Sequence, residues 1–214
     1  MKKIYYLIAL SFLVVILWNL PLLYPLKLLV VFFHESSHAL ATIFTGGEVS
    51  EMVIVAEQGG YVMSSGGNRF IILNSGYLGS LLWGSFIFLW AARSRSDKIV
   101  MTVLGVVVGL LTVWFVTNLF ALVFGILTGI GMILSGRYLN PRVNDFILHL
   151  TGLTSMIYVP LDIFSDTIDR SHLISDASML ATEYGGFTML WGGLWILLSL
   201  FTILICLRWS MKNR

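Results

Sequence analysis

The sequence predicts an all-α polytopic membrane protein: a bundle of about six to seven transmembrane helices with a small β-hairpin after the second. Three observations carry this. Of the 214 residues, 57% are hydrophobic and 11% are charged, whereas a soluble domain carries about 25% charged residues. The apolar residues gather into successive runs long enough to cross hydrocarbon. Between the second and third runs the pattern changes to short β-prone segments. The length suits one compact bundle, so residues 1–214 are expected to form a single membrane-embedded domain. A net charge of +2, with its basic residues in short loops and the tail, is a topology signal and argues against nucleic-acid binding. The lone cysteine, Cys206, lies in the last apolar run and excludes an intrachain disulfide.

Met1-Lys2-Lys3 and the apolar Ile4 to Trp18 resemble a secretory signal. No small-residue cleavage site follows, only Asn19-Leu20-Pro21-Leu22, so an uncleaved signal-anchor helix is expected. Pro21 and Pro25 predict a turn or kink before a second apolar run, Leu22 to Phe44, which Gly46-Gly47 terminates. Glu48 to Glu57 and Gly60 to Ser64 flank Gln58-Gly59 and predict a hairpin, whose edge can receive an extended peptide. Arg69 to Ala92 is the third run. Ile99 to Val116 and Leu119 to Leu134 follow, broken at Thr117-Asn118, with glycines spaced four apart for close helix packing. A run from Phe146 to Ile168, a polar linker from Asp169 to Gly186, and a last span from Phe187 to Leu207 complete the chain.

Orientation turns on parity. Seven crossings set Lys2 and Lys3 against the basic loops, whichever side the chain starts on. If one apolar segment before Arg93 dips and returns, then Lys2, Lys3, Arg93, Arg95, Lys98, Arg137, Arg142, Arg208, Lys212 and Arg214 share one side, as the positive-inside rule requires. Re-entrant backbone needs burial or a wet cavity, such as an active site supplies.

The second run contains His34-Glu35-Ser36-Ser37-His38, an HExxH pattern. Residues four apart share a helix face, so both imidazoles can address one metal ion. Glu35 lies about 100° round the helix, in reach of a water at that metal. With this composition roughly 0.002 such matches arise by chance. Catalytic zinc takes three protein ligands, and the candidates for the third are Asp145, His149, Asp162, Asp166, His172, Asp176 and the hairpin glutamates. An aspartate at membrane depth costs about 2.5–3.5 kcal/mol and is kept for a partner. Asp162, at the end of an apolar approach, fits best, with Asp166 and Asp169 on its helical face. His149 lies about 20 Å along a helix from Asp162 and pairs more simply with Asp145. His172 and Asp176 fall in the polar linker, where they are expected to be solvated.

These residues resemble the site-2 protease family of intramembrane zinc metalloproteases, in its short branch without a PDZ domain. Gly76-xxx-Ser80 is similar to the family's GxxxN/S/G motif and Leu161-Asp162 to the start of its LDG motif, although Ile163 replaces the glycine. The resemblance implies zinc held by His34, His38 and Asp162, Glu35 as general base, and a substrate-binding role for Gly76 and Ser80. It implies hydrolysis of transmembrane or membrane-anchored protein substrates by a multi-pass protein of the cell membrane. Competing expectations are a protease-like binder without turnover, a metal-handling transporter, or a zinc hydrolase acting on something other than peptides. No internal repeat supports the transporter.

Overall fold

The computed structural model describes residues 2–18, 20–94, 96–165 and 174–211. Helix α1 (Lys2–Ile16) leads through a short 3-10 turn (Pro21–Leu23) into α2 (Tyr24–Phe44). The strands β1 (Glu48–Ile54) and β2 (Gly60–Ser65) follow. Five long helices, α3 (Arg69–Arg93), α4 (Asp97–Phe115), α5 (Leu119–Tyr138), α6 (Pro141–Phe164) and α8 (Thr188–Met211), are apolar enough to cross a membrane. The pair α1–α2, bent by 111°, makes a sixth if it is counted as one broken span. Pro21 and Pro25, both at first-turn positions where a missing N–H costs nothing, begin new helices at that bend.

The expected polar linker is only partly a linker. Within it lies α7 (Asp176–Tyr184), opened by a capping box in which Ser178 N donates to Ser175 Oγ at 3.3 Å and Ser175 N to Ser178 Oγ at 2.8 Å. Two orphan amides are thereby satisfied, and Ala177 and Leu180 bury the apolar face of this single short helix.

Helix directions follow from side-chain pairs. Helices α3 and α6 run antiparallel, with Tyr77 meeting Asp162, Ser155 donating to the Ser80 carbonyl, and Phe88 edge-on to His149. Helices α4 and α5 form an antiparallel pair closed by glycine: a Cβ on Gly105 would sit 2.6 Å from the Gly129 carbonyl oxygen. Helix α8 lies parallel to α3, with Trp195 donating to Asn74 near both starts. One end of the bundle therefore holds the starts of α3, α5 and α8, the ends of α4 and α6, and the base of the hairpin. The other end holds the α3–α4 and α5–α6 connections and the end of α8. Among the five long helices α6 is the most enclosed and α8 the least.

The hairpin lies along α2 rather than beyond it, since Tyr24 at the start of that helix donates to the Ala56 carbonyl in the turn at 2.6 Å. Gln58 takes the left-handed conformation (φ 66°) that the tight turn requires. Thr117 and Asn118, at the break between α4 and α5, cap the outer edge of β1. Thr117 N donates to Met52 O, and the Asn118 amide bonds both the N–H and the C=O of Ile54.

Candidate metal centre

The i,i+4 spacing on α2 brings His34 Nε2 to 3.1 Å from His38 Nε2. The carboxylate that meets them is Asp176, from the first turn of α7. Its Oδ2 lies 3.2 Å from His34 Nε2 and 3.1 Å from His38 Nε2. The three donors form the one close His/Cys/Asp/Glu group of metal-site size among the described residues. A tetrahedral zinc ion about 2.0–2.1 Å from each ligand spaces those ligands about 3.3 Å apart, so the observed triangle has the right size. Asp176 Oδ2 is buried and faces the two imidazole nitrogens, the position of an oxygen that shares a cation with them.

The surroundings orient the donors. His38 Nδ1–H donates to the Ile72 carbonyl at 2.7 Å, which leaves the Nε2 lone pair for a metal. The Tyr77 ring stands edge-on to His34 at 4.7 Å. Gly76 leaves the space between the imidazoles open, because a Cβ there would fall on both Nε2 atoms. Helix α7 is held to α3 by Arg69, whose Nε donates to Glu183 at 3.2 Å, and by Phe70 against Tyr184. Burial alone raises the Asp176 carboxyl pKa. When protonated, the His38 and His34 imidazoles beside it more than reverse that and hold it below the usual carboxylate range.

A cavity of about 410 Å³ opens on the centre. Glu35, 5% exposed, lines it beside the histidines, and a Cβ on Gly60 would sit 2.8 Å from Glu35 Oε1. The general-base candidate thus lies against the backbone of β2.

Asp162, expected as the third ligand, is outside the close group. It lines the same cavity and accepts a hydrogen bond from Tyr77 Oη at 3.1 Å, and that ring packs on His34. Its place beside the histidines is taken by Asp176, which the first turn of α7 sets against α2. Ser80 is fully buried on the α6 side and does not line the cavity. His149 bonds the Asp145 carbonyl at 2.8 Å and packs on Phe88, far from the centre. Glu48, Glu51 and Glu57 lie outside the cavity wall. Asp166, Asp169 and His172 fall outside the described residues. The overlooked signal was Ser175-Asp176-Ala177 followed by Leu180: an N-cap, then apolar residues at helical spacing, where only a linker was expected.

Comparison with curated proteins and with solved structures gives no match. A family model described as Peptidase M50B-like matches residues 7–206, nearly the whole chain. With an HExxH helix, a converging carboxylate and several apolar spans already in place, the match agrees with the geometry, and the chain belongs to this family of site-2-type intramembrane metalloproteases.

Proposed function

We propose that the protein is a zinc-dependent endopeptidase of the cell membrane that cleaves transmembrane or membrane-anchored proteins, with His34, His38 and Asp176 as metal ligands and Glu35 as general base. The observation that carries this is the triangle of donors, 3.1–3.2 Å on each edge, beside a buried glutamate in an open cavity. His34, His38 and Asp176 would hold zinc, which when bound would supply Lewis acidity towards the scissile carbonyl and a water acidified towards a pKa of ~7. Glu35 takes the proton of the attacking water and returns it to the leaving amine. Burial of the donors among Tyr77, Ile72 and Leu73 limits bulk water to the open side.

Strand β2 supplies the substrate register. Val55 N donates to Gly59 O, which makes Val55–Gly59 a hydrogen-bonded pair. Alternation then directs the peptide groups of Gly60 and Val62 away from β1. On β1 the equivalent groups of Met52 and Ile54 are taken by Thr117 and Asn118. Gly60 and Val62 instead line the cavity beside Glu35. A helix hides its own amides, so a substrate segment must unwind, and pairing with this edge holds it extended. Asp162, bonded to Tyr77, acts here as a positioning group for His34 rather than as a ligand.

The test is zinc content and cleavage of a membrane-anchored substrate in detergent, comparing wild type with Glu35→Gln. One zinc per chain in both, with cleavage only in wild type, is expected. Cleavage that survives Glu35→Gln with zinc retained would remove Glu35 from its role.

A further inference from the structure

Helix α2 carries Lys27, Val31, His34 and His38 on one face, at successive turns. The last three line the cavity, and Lys27, partly buried, is the next position along the same stripe. Its Nζ donates to the Trp18 carbonyl at 3.3 Å and lies 5.0 Å from the centre of the Trp18 ring. That ring packs on Tyr158 at 6.2 Å, one turn of α6 before Asp162. Tyr158 and Asp162 both line the cavity, and Asp162 is the carboxylate whose charge acts on Lys27. Lys27 thus ties the turn between α1 and α2 to the α6 wall of the site.

The charges around the cavity call for such a group. Glu35, Asp162 and Asp176 bring three carboxylates to it. A divalent ion on the donor triangle would balance two of them. Arg69 is the one cation lining the cavity among the described residues, and it is half exposed and paired with Glu183. We infer that Lys27 is a positioning residue of the centre, the counter-charge that holds Asp162 in the cavity wall and offsets its charge during the reaction. Asp162 also acts on Glu35, so its charge is felt where the chemistry occurs. Left unbalanced, it would oppose the negative charge that grows on the scissile carbonyl oxygen in the transition state and barely touch the neutral ground-state peptide. The pairing stands on the contacts of Lys27, Trp18, Tyr158 and Asp162. Its catalytic consequence rests on the endopeptidase reading above.

Lys27→Met, Lys27→Arg, Asp162→Asn and the double variant Lys27→Met/Asp162→Asn test this in detergent. The readouts are the thermal midpoint, zinc retained against a graded chelator, and kcat and KM on a membrane-anchored substrate. Lys27→Met should lower the midpoint and cut kcat about ten-fold, with KM changed by less than about two-fold. Lys27→Arg should keep most of both. Zinc in Lys27→Met should resist the chelator at least as well as in wild type, because a positive charge has left the neighbourhood of a cation site; a variant that had merely lost its fold would release it. In the double variant, midpoint and kcat should return towards those of Asp162→Asn, since the neutral amide still accepts from Tyr77 and needs no counter-charge. Additive losses in the double variant, zinc released more easily by Lys27→Met, or Lys27→Arg no better than Lys27→Met would each overturn the inference. Non-additive midpoints with no cleavage by any form, wild type included, would support the pairing and count against the endopeptidase reading alone.

Discussion

Removing the Asp176 carboxylate should strip the metal, and removing the Asp162 carboxylate should not. Zinc held by a four-ligand protein site gains about 10–16 kcal/mol, roughly 3–4 kcal/mol for each donor, so one lost donor weakens binding by ~10²–10³-fold. Asp176 Oδ2 is one of three donors 3.1–3.2 Å apart, and Asp176→Ala should show that full loss. Asp162 lies outside the donor triangle and is linked to it by Tyr77 Oη at 3.1 Å and the ring's contact with His34. Outer partners of metal ligands are worth about 10–100-fold, and one acting through an aromatic edge belongs at the low end. The assay is zinc retained by purified protein in detergent against a graded chelator, with Asp176→Asn to separate charge from shape. Helix α7 keeps its Ser175 cap and its Arg69 contact in both variants, so its helicity should persist. Zinc retained by Asp176→Ala but lost from Asp162→Ala would refute the assignment and return the ligand role to α6.

Three further outcomes follow from the same geometry. Gly60→Ala places a Cβ 2.8 Å from Glu35 Oε1, so kcat should fall at least ten-fold while zinc content holds. Loss of zinc in that variant would mean that Glu35 and the metal ligands move together. Gly76→Ala directs a Cβ onto both imidazole Nε2 atoms and should abolish zinc binding while leaving the helical circular dichroism unchanged. Asn118→Ala removes the partners of both Ile54 backbone groups, at about 1–3 kcal/mol for each group left buried. It should lower the thermal midpoint and loosen β1, measured by hydrogen exchange at Met52 to Ile54; unchanged exchange there would count against a sealed edge.

The spans and the convergence of His34 with His38 were legible because each is written locally. Apolar run length marks a span, and His34 to His38 needs only one helical turn to converge. The hairpin was legible from Gln58-Gly59 and its β-prone flanks, but which edge stays open was not, since Thr117 and Asn118 close β1 from more than sixty residues away. Asp176 was hidden for the same reason. Membrane depth favoured Asp162, an aspartate inside an apolar helix, whereas Asp176 sits in a segment whose polarity suggests solvent. Its burial comes from α7 folding back against α3 and α8, a tertiary event that hydropathy cannot register. Ser80 shares a motif spacing with Gly76 but lies one turn further along α3, where it is fully buried and its carbonyl accepts from Ser155 of α6.

The element that binds these parts together is the start of α3, which contributes no donor to the triangle. Thr45 Oγ1 at the end of α2 accepts the Asn68 N–H, fixing where α3 begins relative to the HExxH helix. Ile72 supplies the carbonyl that sets the His38 tautomer, Gly76 leaves room at the metal, and Tyr77 links His34 to Asp162. Arg69 and Phe70 hold α7, which brings Asp176 to the same place. Within about two and a half turns, α3 therefore contacts both elements that contribute to the His34, His38 and Asp176 triangle. A rotation of α3 by one residue, about 100°, would replace Gly76 with a side chain at the imidazoles and release the Ile72 bond together. The donors on α2 and α7 are thus set by one shared template, which explains how residues far apart in sequence can meet to within a few tenths of an ångström of a metal-site triangle.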